Sequence, residues 1–237
     1  EIEEEELRRG LAAGVLVAVS DKADSVDMAA PGGGRRGVPV TAEPGIDIPA
    51  VTGSKVFRDW LSDVDKDPKL FVDDIHVQSV DMFGPNVGFI KFESQAKVRV
   101  GGKKLPTFAA KVPGIVFMRG GAVGVLVILE CEGKEYTVLT RQARVPAADS
   151  ALPEIPAGML DGSGRFRGVA AEEIAVECNI EISEAELVDL TELAYGDKYR
   201  GILPSAGGCD EFIRLLVCRR AVKPVVLQKL QGRLTGL

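Results

Sequence analysis

The order of patterns along the 237 residues predicts an α+β fold, sheet, helix and sheet again, behind a small, mostly β region. Three observations carry the α+β reading. A long middle stretch is rich in β-branched and aromatic runs cut by turn signals. A loop feeding a helix, "GMLDGSGRFRGVAAEEIAVECNI" (Gly158 to Ile180), interrupts that texture. The run "FIRLLVCRRAV" then returns to it as a strand.

Taken in order, residues 1–37 are expected to form an acidic, flexible segment, residues 38–118 a helix plus a β domain, and residues 119–237 the main domain. "EIEEEE" reads as a frayed acidic terminus. The run Gly10 to Ser20 has the length of a signal-peptide core, but acids stand where a signal peptide is basic, so no targeting segment is identifiable. "APGGGRRGVP" reads as a flexible connector. Its Gly32, Gly34 and Gly37 make a formal G-x-G-x-x-G. A dinucleotide fingerprint needs a strand before it and a helix opening inside it. Here Pro31 and Pro39 flank the glycines and no helical pattern follows, so the match is a decoy.

"SKVFRDWLSDV" (Ser54 to Val64) is an amphipathic helix with Val56, Phe57, Trp60, Leu61 and Val64 at helical spacing and Ser54 as its cap. Strands follow in "IHVQSVDMF", "VGFIKFESQAKVRV", "KLPTFAAKVPGIVFM", "AVGVLVILEC" and "KEYTVLTRQARV". Val123 to Leu129 is apolar throughout and is expected to lie buried on both faces. After the Gly158 helix come an acidic, partly periodic stretch (Ser183 to Leu193) and the Gly-rich loop "PSAGGCDE".

The formal net charge of -6 argues against non-specific nucleic-acid binding. It leaves room for an anionic substrate, because a bound metal reverses the local sign. Cys131, Cys178, Cys209 and Cys218 form no C-x-x-C pair and read as free thiols in a reducing compartment. No apolar run is long enough to span a bilayer. His76, the one histidine, has no G-x-S-x-G elbow to serve and reads as structural. Cys209 lacks a basic partner that would activate it.

On a helical wheel Glu173 and Glu177 are i, i+4 and share a face, with Val176 placed between them and Ile174 and Cys178 on the buried stripe. Such a like-charge pair costs a helix roughly a few tenths of a kcal/mol. Magnesium, which favours carboxylate oxygens, would relieve it; a solvated acidic edge would also accommodate it.

Around this helix the chain resembles the Nudix hydrolases, whose signature is G-x5-E-x7-R-E-U-x-E-E-x-G-U with U aliphatic. Gly158, Glu173, Ile174, Glu177 and Ile180 match it without a gap. "GSKVFRDWL", "VDMFGPNVGFIKF", "VPGIVFMRGGAVGVLVILECEG", "YTVLTRQARVP", "EIPAGMLD", "ILPSAGGCDE" and "LQGRLTGL" resemble, in order, the plant-type (plastid) ADP-sugar diphosphatases of that family. The resemblance implies a Nudix α/β/α sandwich behind a small β domain that often helps form a homodimer. It implies hydrolysis of the pyrophosphate of a nucleoside-diphosphate sugar with Mg2+ or Mn2+. By position, Glu173, Glu177 and the carbonyl of Ala157 would hold the metal. Glu177 would thereby serve the chemistry, with Glu211 as the base or water-orienting group. Glu154, Arg144 and Arg119 would contact substrate. A plastid location follows from the same subgroup.

The pattern is also broken. Gly164 replaces the early Glu, Glu172 the Arg, Val176 the first Glu of the E-E pair, and Asn179 the late Gly. Glu172 adds charge to an acidic turn, and Val176 removes a ligand for a second metal. Asn179 is the mildest change, since Asn tolerates a left-handed helix end. In this subgroup the sequence continues past "LQGRLTGL" to a further strand and a closing helix. Two readings stand side by side: a divalent-metal hydrolase of weakened activity, and an inactive Nudix-fold protein serving as a binding module or as a subunit of a larger assembly.

Overall fold

A computed structural model describes residues 24–30, 34–100, 107–108, 112, 114–160, 165–178 and 180–232. The acidic terminus, the Gly10 to Ser20 run, Gly32, Gly164, Asn179 and the last five residues of "LQGRLTGL" lie outside the described residues.

Strands β1 (Ser25–Ala29) and β2 (Arg35–Ala42) form an antiparallel hairpin. Arg35 to Pro39 of "APGGGRRGVP", which its composition marks as a connector, therefore lie in the second strand of that hairpin. Gly34, at φ +80, supplies the left-handed turn residue. Val38 and Val40 alternate with exposed neighbours and are buried. Helices α1 (Ile48–Gly53) and α2 (Lys55–Lys66) follow. Ser54 caps α2 by accepting the N–H of Phe57, as its position predicted. The two helices supply the crossover that lets β2 run parallel to β3 (Leu70–Phe83).

β3 pairs antiparallel with β4 (Asn86–Val100), which also pairs with β5 (Thr107–Phe108) and β6 (Ile115–Met118). This six-stranded sheet and α2 bury a first core. Phe57 and Trp60 of α2 meet Phe92 of β4 edge-on, with ring centroids 6.2 and 4.9 Å away.

The second sheet is built on β7 (Ala122–Cys131). β8 (Lys134–Thr137) folds back on β7. The segment "KEYTVLTRQARV", expected as one strand, then breaks at Val138 and Leu139. Its second half, β9 (Thr140–Arg144), leaves that sheet and pairs with β10 (Asp149–Glu154). β11 (Ala157–Met159) returns to the edge of the sheet, followed by α3 (Phe166–Cys178). The acidic stretch becomes a capped turn, β12 (Leu187–Asp189) and α4 (Leu190–Tyr195). β13 (Ile213–Ala221) runs parallel to β7, and α5 (Pro224–Leu230) follows.

Val123, Val125, Val127 and Leu129 of β7 are buried with Ala170, Ile174 and Cys178 of α3 and with Leu216 and Cys218 of β13. The opposite face of β7 is less covered than the sequence suggests: Leu126 and Ile128 are only half-buried. Among the described residues no helix is long and apolar enough to cross a membrane. All four cysteines are free.

Candidate functional site

α3 lays its apolar stripe, Val169, Ala170, Ile174 and Cys178, against the second sheet. That rotation fixes the acids. At about 100° per residue, Glu177 lies about 40° from Glu173 toward the core, while Val176 lies about 60° from Glu173 on the other side. Val176 is accordingly 57% exposed and Glu177 only 7%. Val176 therefore does not sit between the two carboxylates, as the sequence reading had it. It flanks Glu173 toward solvent. Glu172 turns further out and pairs with Arg165 at 3.6 Å.

Glu177 points inward and is held at both oxygens. Oε1 accepts the Gln142 amide at 2.6 Å, and Oε2 accepts the N–H of Ala157 at 3.2 Å. Ala157 is free to donate because β11 is an edge strand. It sits opposite Gly124, and the neighbouring Pro156 carbonyl takes the bond from Val125. Ala157 thus turns both its N–H and its carbonyl away from β7, on the side where Glu177 lies. Glu173 crosses the Cα of Gly158, where a side chain on residue 158 would overlap its carboxylate. Burial pushes the Glu173 carboxyl above its ordinary range, and the charges of Glu177 and then Glu172 push it further.

Gln142 was not singled out by sequence. The available signal was the alternation of β9: Thr140, Gln142 and Arg144 are half-buried while Arg141 and Ala143 are exposed. On that same face Arg144 binds Glu154 through Nε, at 2.8 and 3.1 Å to the two carboxylate oxygens. Arg144 and Glu154 are therefore each other's partners.

Glu211 is bonded to Arg119 at 3.3 Å, and among the described residues it forms no three-acid group with Glu173 and Glu177. Its neighbour Asp210 anchors the loop, accepting the N–H groups of Arg119 and Gly120 at 2.8 and 3.1 Å. Burial raises the Asp210 carboxyl, against those bonds. Cys209 sits beside them with its thiol raised, first by burial, which fits an unreactive thiol. His76 lies in the first sheet between Thr41 and Glu43, in a structural setting.

Two carboxylates and one main-chain carbonyl suit a single hard cation with water filling its other positions. Among the described residues no group of three His, Cys, Asp or Glu side chains is placed to hold a metal. Among the described residues the donors at this edge are Glu173, Glu177 and the Ala157 carbonyl, a set for one cation.

No family model matches the chain. A curated relative, the chloroplastic Nudix hydrolase 14 of Arabidopsis thaliana, is 41% identical over 193 residues, 78% of this chain. The chain spans 59% of that relative's length. With this identity across more than three quarters of its residues, and a helix holding Glu173 and Glu177 against an edge strand, the chain belongs to the Nudix hydrolase family.

Proposed function

We propose that the chain is a hydrolase of nucleoside-diphosphate-linked substrates, of the ADP-sugar class, working with one divalent cation, Mg2+ or Mn2+. The observation that carries the reading is the pair Glu173 and Glu177 facing the Ala157–Gly158 edge. A cation bound there would neutralise phosphate charge and lower the pKa of a water. The chain's own residues do the rest. Gln142 and the Ala157 N–H fix the Glu177 carboxylate, leaving a lone pair on each oxygen for the metal. Glu173 supplies the second carboxylate. Arg144, already steered by Glu154, offers its remaining N–H groups to the substrate. Arg119 does the same next to Glu211. Glu211, on leaving Arg119, takes the proton of the attacking water as the new phosphorus–oxygen bond forms and the bridging one breaks.

A second reading has an observation of its own. Glu211 is tied to Arg119, and among the described residues it forms no three-acid group with Glu173 and Glu177, which favours a non-catalytic binding or structural subunit. A plastid location and a homodimeric or larger assembly belong to the same proposal; the chloroplastic relative supports the first.

AMP release from ADP-glucose and ADP-ribose with magnesium separates the two readings. The hydrolase reading expects turnover that Glu177→Gln reduces by about 100-fold or more. No turnover above blank with either substrate leaves the non-catalytic reading.

A further inference from the structure

α3 crosses the second sheet and touches β11, β7 and β13. One row of that sheet runs beneath it. Gly158 of β11 pairs with Val123 of β7, and Val123 pairs with Arg214 of β13. Residues paired across a sheet turn their side chains to the same face. Arg214 therefore rises on the face where Val123 joins Val169 and Ala170 in the second core.

α3 rests on this row at two points. Glu173 lies over Gly158. Phe166, the first residue of α3, meets Arg214, whose guanidinium carbon stands 4.3 Å from the ring centroid. Neighbouring strands are about 4.8 Å apart, so Gly158 and Arg214 stand roughly 10 Å apart along the row. Phe166 and Glu173 are two turns apart, roughly 10 Å along the helix and within about 20° of one face. The two spans match, so the helix bridges the row with Phe166 on β13 and Glu173 on β11.

Arg214 is itself held. Its Nε donates to Asp189 Oδ2 at 2.5 Å, and both side chains are nearly buried. Asp189 Oδ1 accepts the N–H of Glu192 and so caps α4. Stability alone does not call for a charge here. Leu216 and Cys218 follow on the same face of β13, both fully buried, and an apolar residue would extend that stripe. Replacing a buried ion pair by packed apolar side chains is often neutral or stabilising. A guanidinium fixed by a carboxylate offers something else, a plane that sets the height and tilt of a ring resting on it. Gln142 and the Ala157 N–H hold Glu177 near the other end of α3. With Phe166 on Arg214 the helix is fixed at both ends, and Glu173 between them is kept against Gly158.

We infer that Arg214 is a positioning residue for the carboxylate pair: it seats the first turn of α3 on β13 through Phe166 and thereby sets where Glu173 and Glu177 meet β11. The inference rests on the hydrolase reading for the cation but not for the seating of the helix.

Three variants of the full chain test it. Arg214→Lys keeps a charge for Asp189 and removes the plane, Phe166→Leu removes the ring, and Phe166→Tyr keeps it. In metal-free protein the Ala157 N–H, which donates to Glu177, is expected to exchange severalfold faster in Arg214→Lys and Phe166→Leu. Phe166→Tyr is expected to keep the wild-type rate. Titration with Mn2+ alone is expected to show affinity reduced about tenfold in the same two variants. Their combination should lose no more than either alone, since both break one contact. Wild-type exchange at Ala157 in folded Arg214→Lys, wild-type Mn2+ affinity in that variant, or losses that add in the combination would each overturn the assignment. Where Arg214→Lys does not fold, the contrast between Phe166→Leu and Phe166→Tyr decides in the same way. Turnover of ADP-glucose with exchange and affinity unchanged in the variants removes this inference and leaves the hydrolase standing. A wild-type chain without Mn2+ binding or turnover, but with faster Ala157 exchange in Arg214→Lys, does the reverse.

Discussion

Glu173 and Glu177 are the same residue type one turn apart, yet the fold treats them differently. Glu177 is buried and carries two donors. Among the described residues Glu173 has no such donors, and burial followed by the charges of Glu177 and Glu172 raises its carboxyl. A carboxyl raised in the folded state holds its proton more tightly there than in the unfolded chain. Its contribution to stability is thus present below the ordinary carboxylate range and is lost as pH rises through the raised value. Metal-free protein should therefore lose stability as pH rises from the ordinary carboxylate range, about pH 4, through the raised value. In Glu173→Gln that part of the slope should vanish, and thermal melts at neutral pH in chelator should move up, by roughly a few tenths of a kcal/mol from the relieved repulsion. A lower melting temperature for Glu173→Gln under those conditions would contradict the account.

At the scale of elements, the site depends on how closely α3 approaches β11. Gly158 permits that approach, since any side chain there would overlap the Glu173 carboxylate. Gly158→Ala is expected to displace Glu173 and weaken Mn2+ binding about 10- to 100-fold, measured by titration with the spin signal of free Mn2+. Much of the element pattern was legible. The Ser54 cap and the periodic Val56, Phe57, Trp60 and Val64 announced α2, because capping and amphipathicity are local properties. The misreadings were local too. The glycines and prolines near residue 35 masked a hairpin whose valines alternate on either side of the turn. Val176 was misplaced because neighbours in sequence lie 100° apart on a helix, so a residue between two others in the chain need not lie between them on the surface.

The whole molecule holds two cores, and the loop carrying Asp210 ties them. That loop bonds the end of the first sheet through Phe117 and the start of the second through Arg119 and Gly120. Asp210→Ala would strand two N–H groups at that junction and should cost about 2–4 kcal/mol, with faster hydrogen exchange at Arg119 and Gly120. Asp210→Asn keeps an acceptor oxygen and removes a charge that burial disfavours, so it should cost much less. Equal losses in the two variants would show that the bonds to Asp210 do not carry the junction.

The chemical groups and their order along the chain came from the residues: a glycine loop, a helix with Glu173 and Glu177 on one side, and a second loop with Glu211. These are patterns of spacing and side-chain type, which need no distant contact to be read. Folding decided which carboxylate is buried, that Gln142 holds it, and that Arg119 and Glu154 already occupy the groups expected to meet substrate. Most of those outcomes depend on residues brought together from far apart, 35 positions for Gln142 and Glu177 and 91 for Arg119 and Asp210, against 10 for Arg144 and Glu154. Spacing along the chain encodes which face a side chain takes, but the partner waiting on that face is chosen by packing.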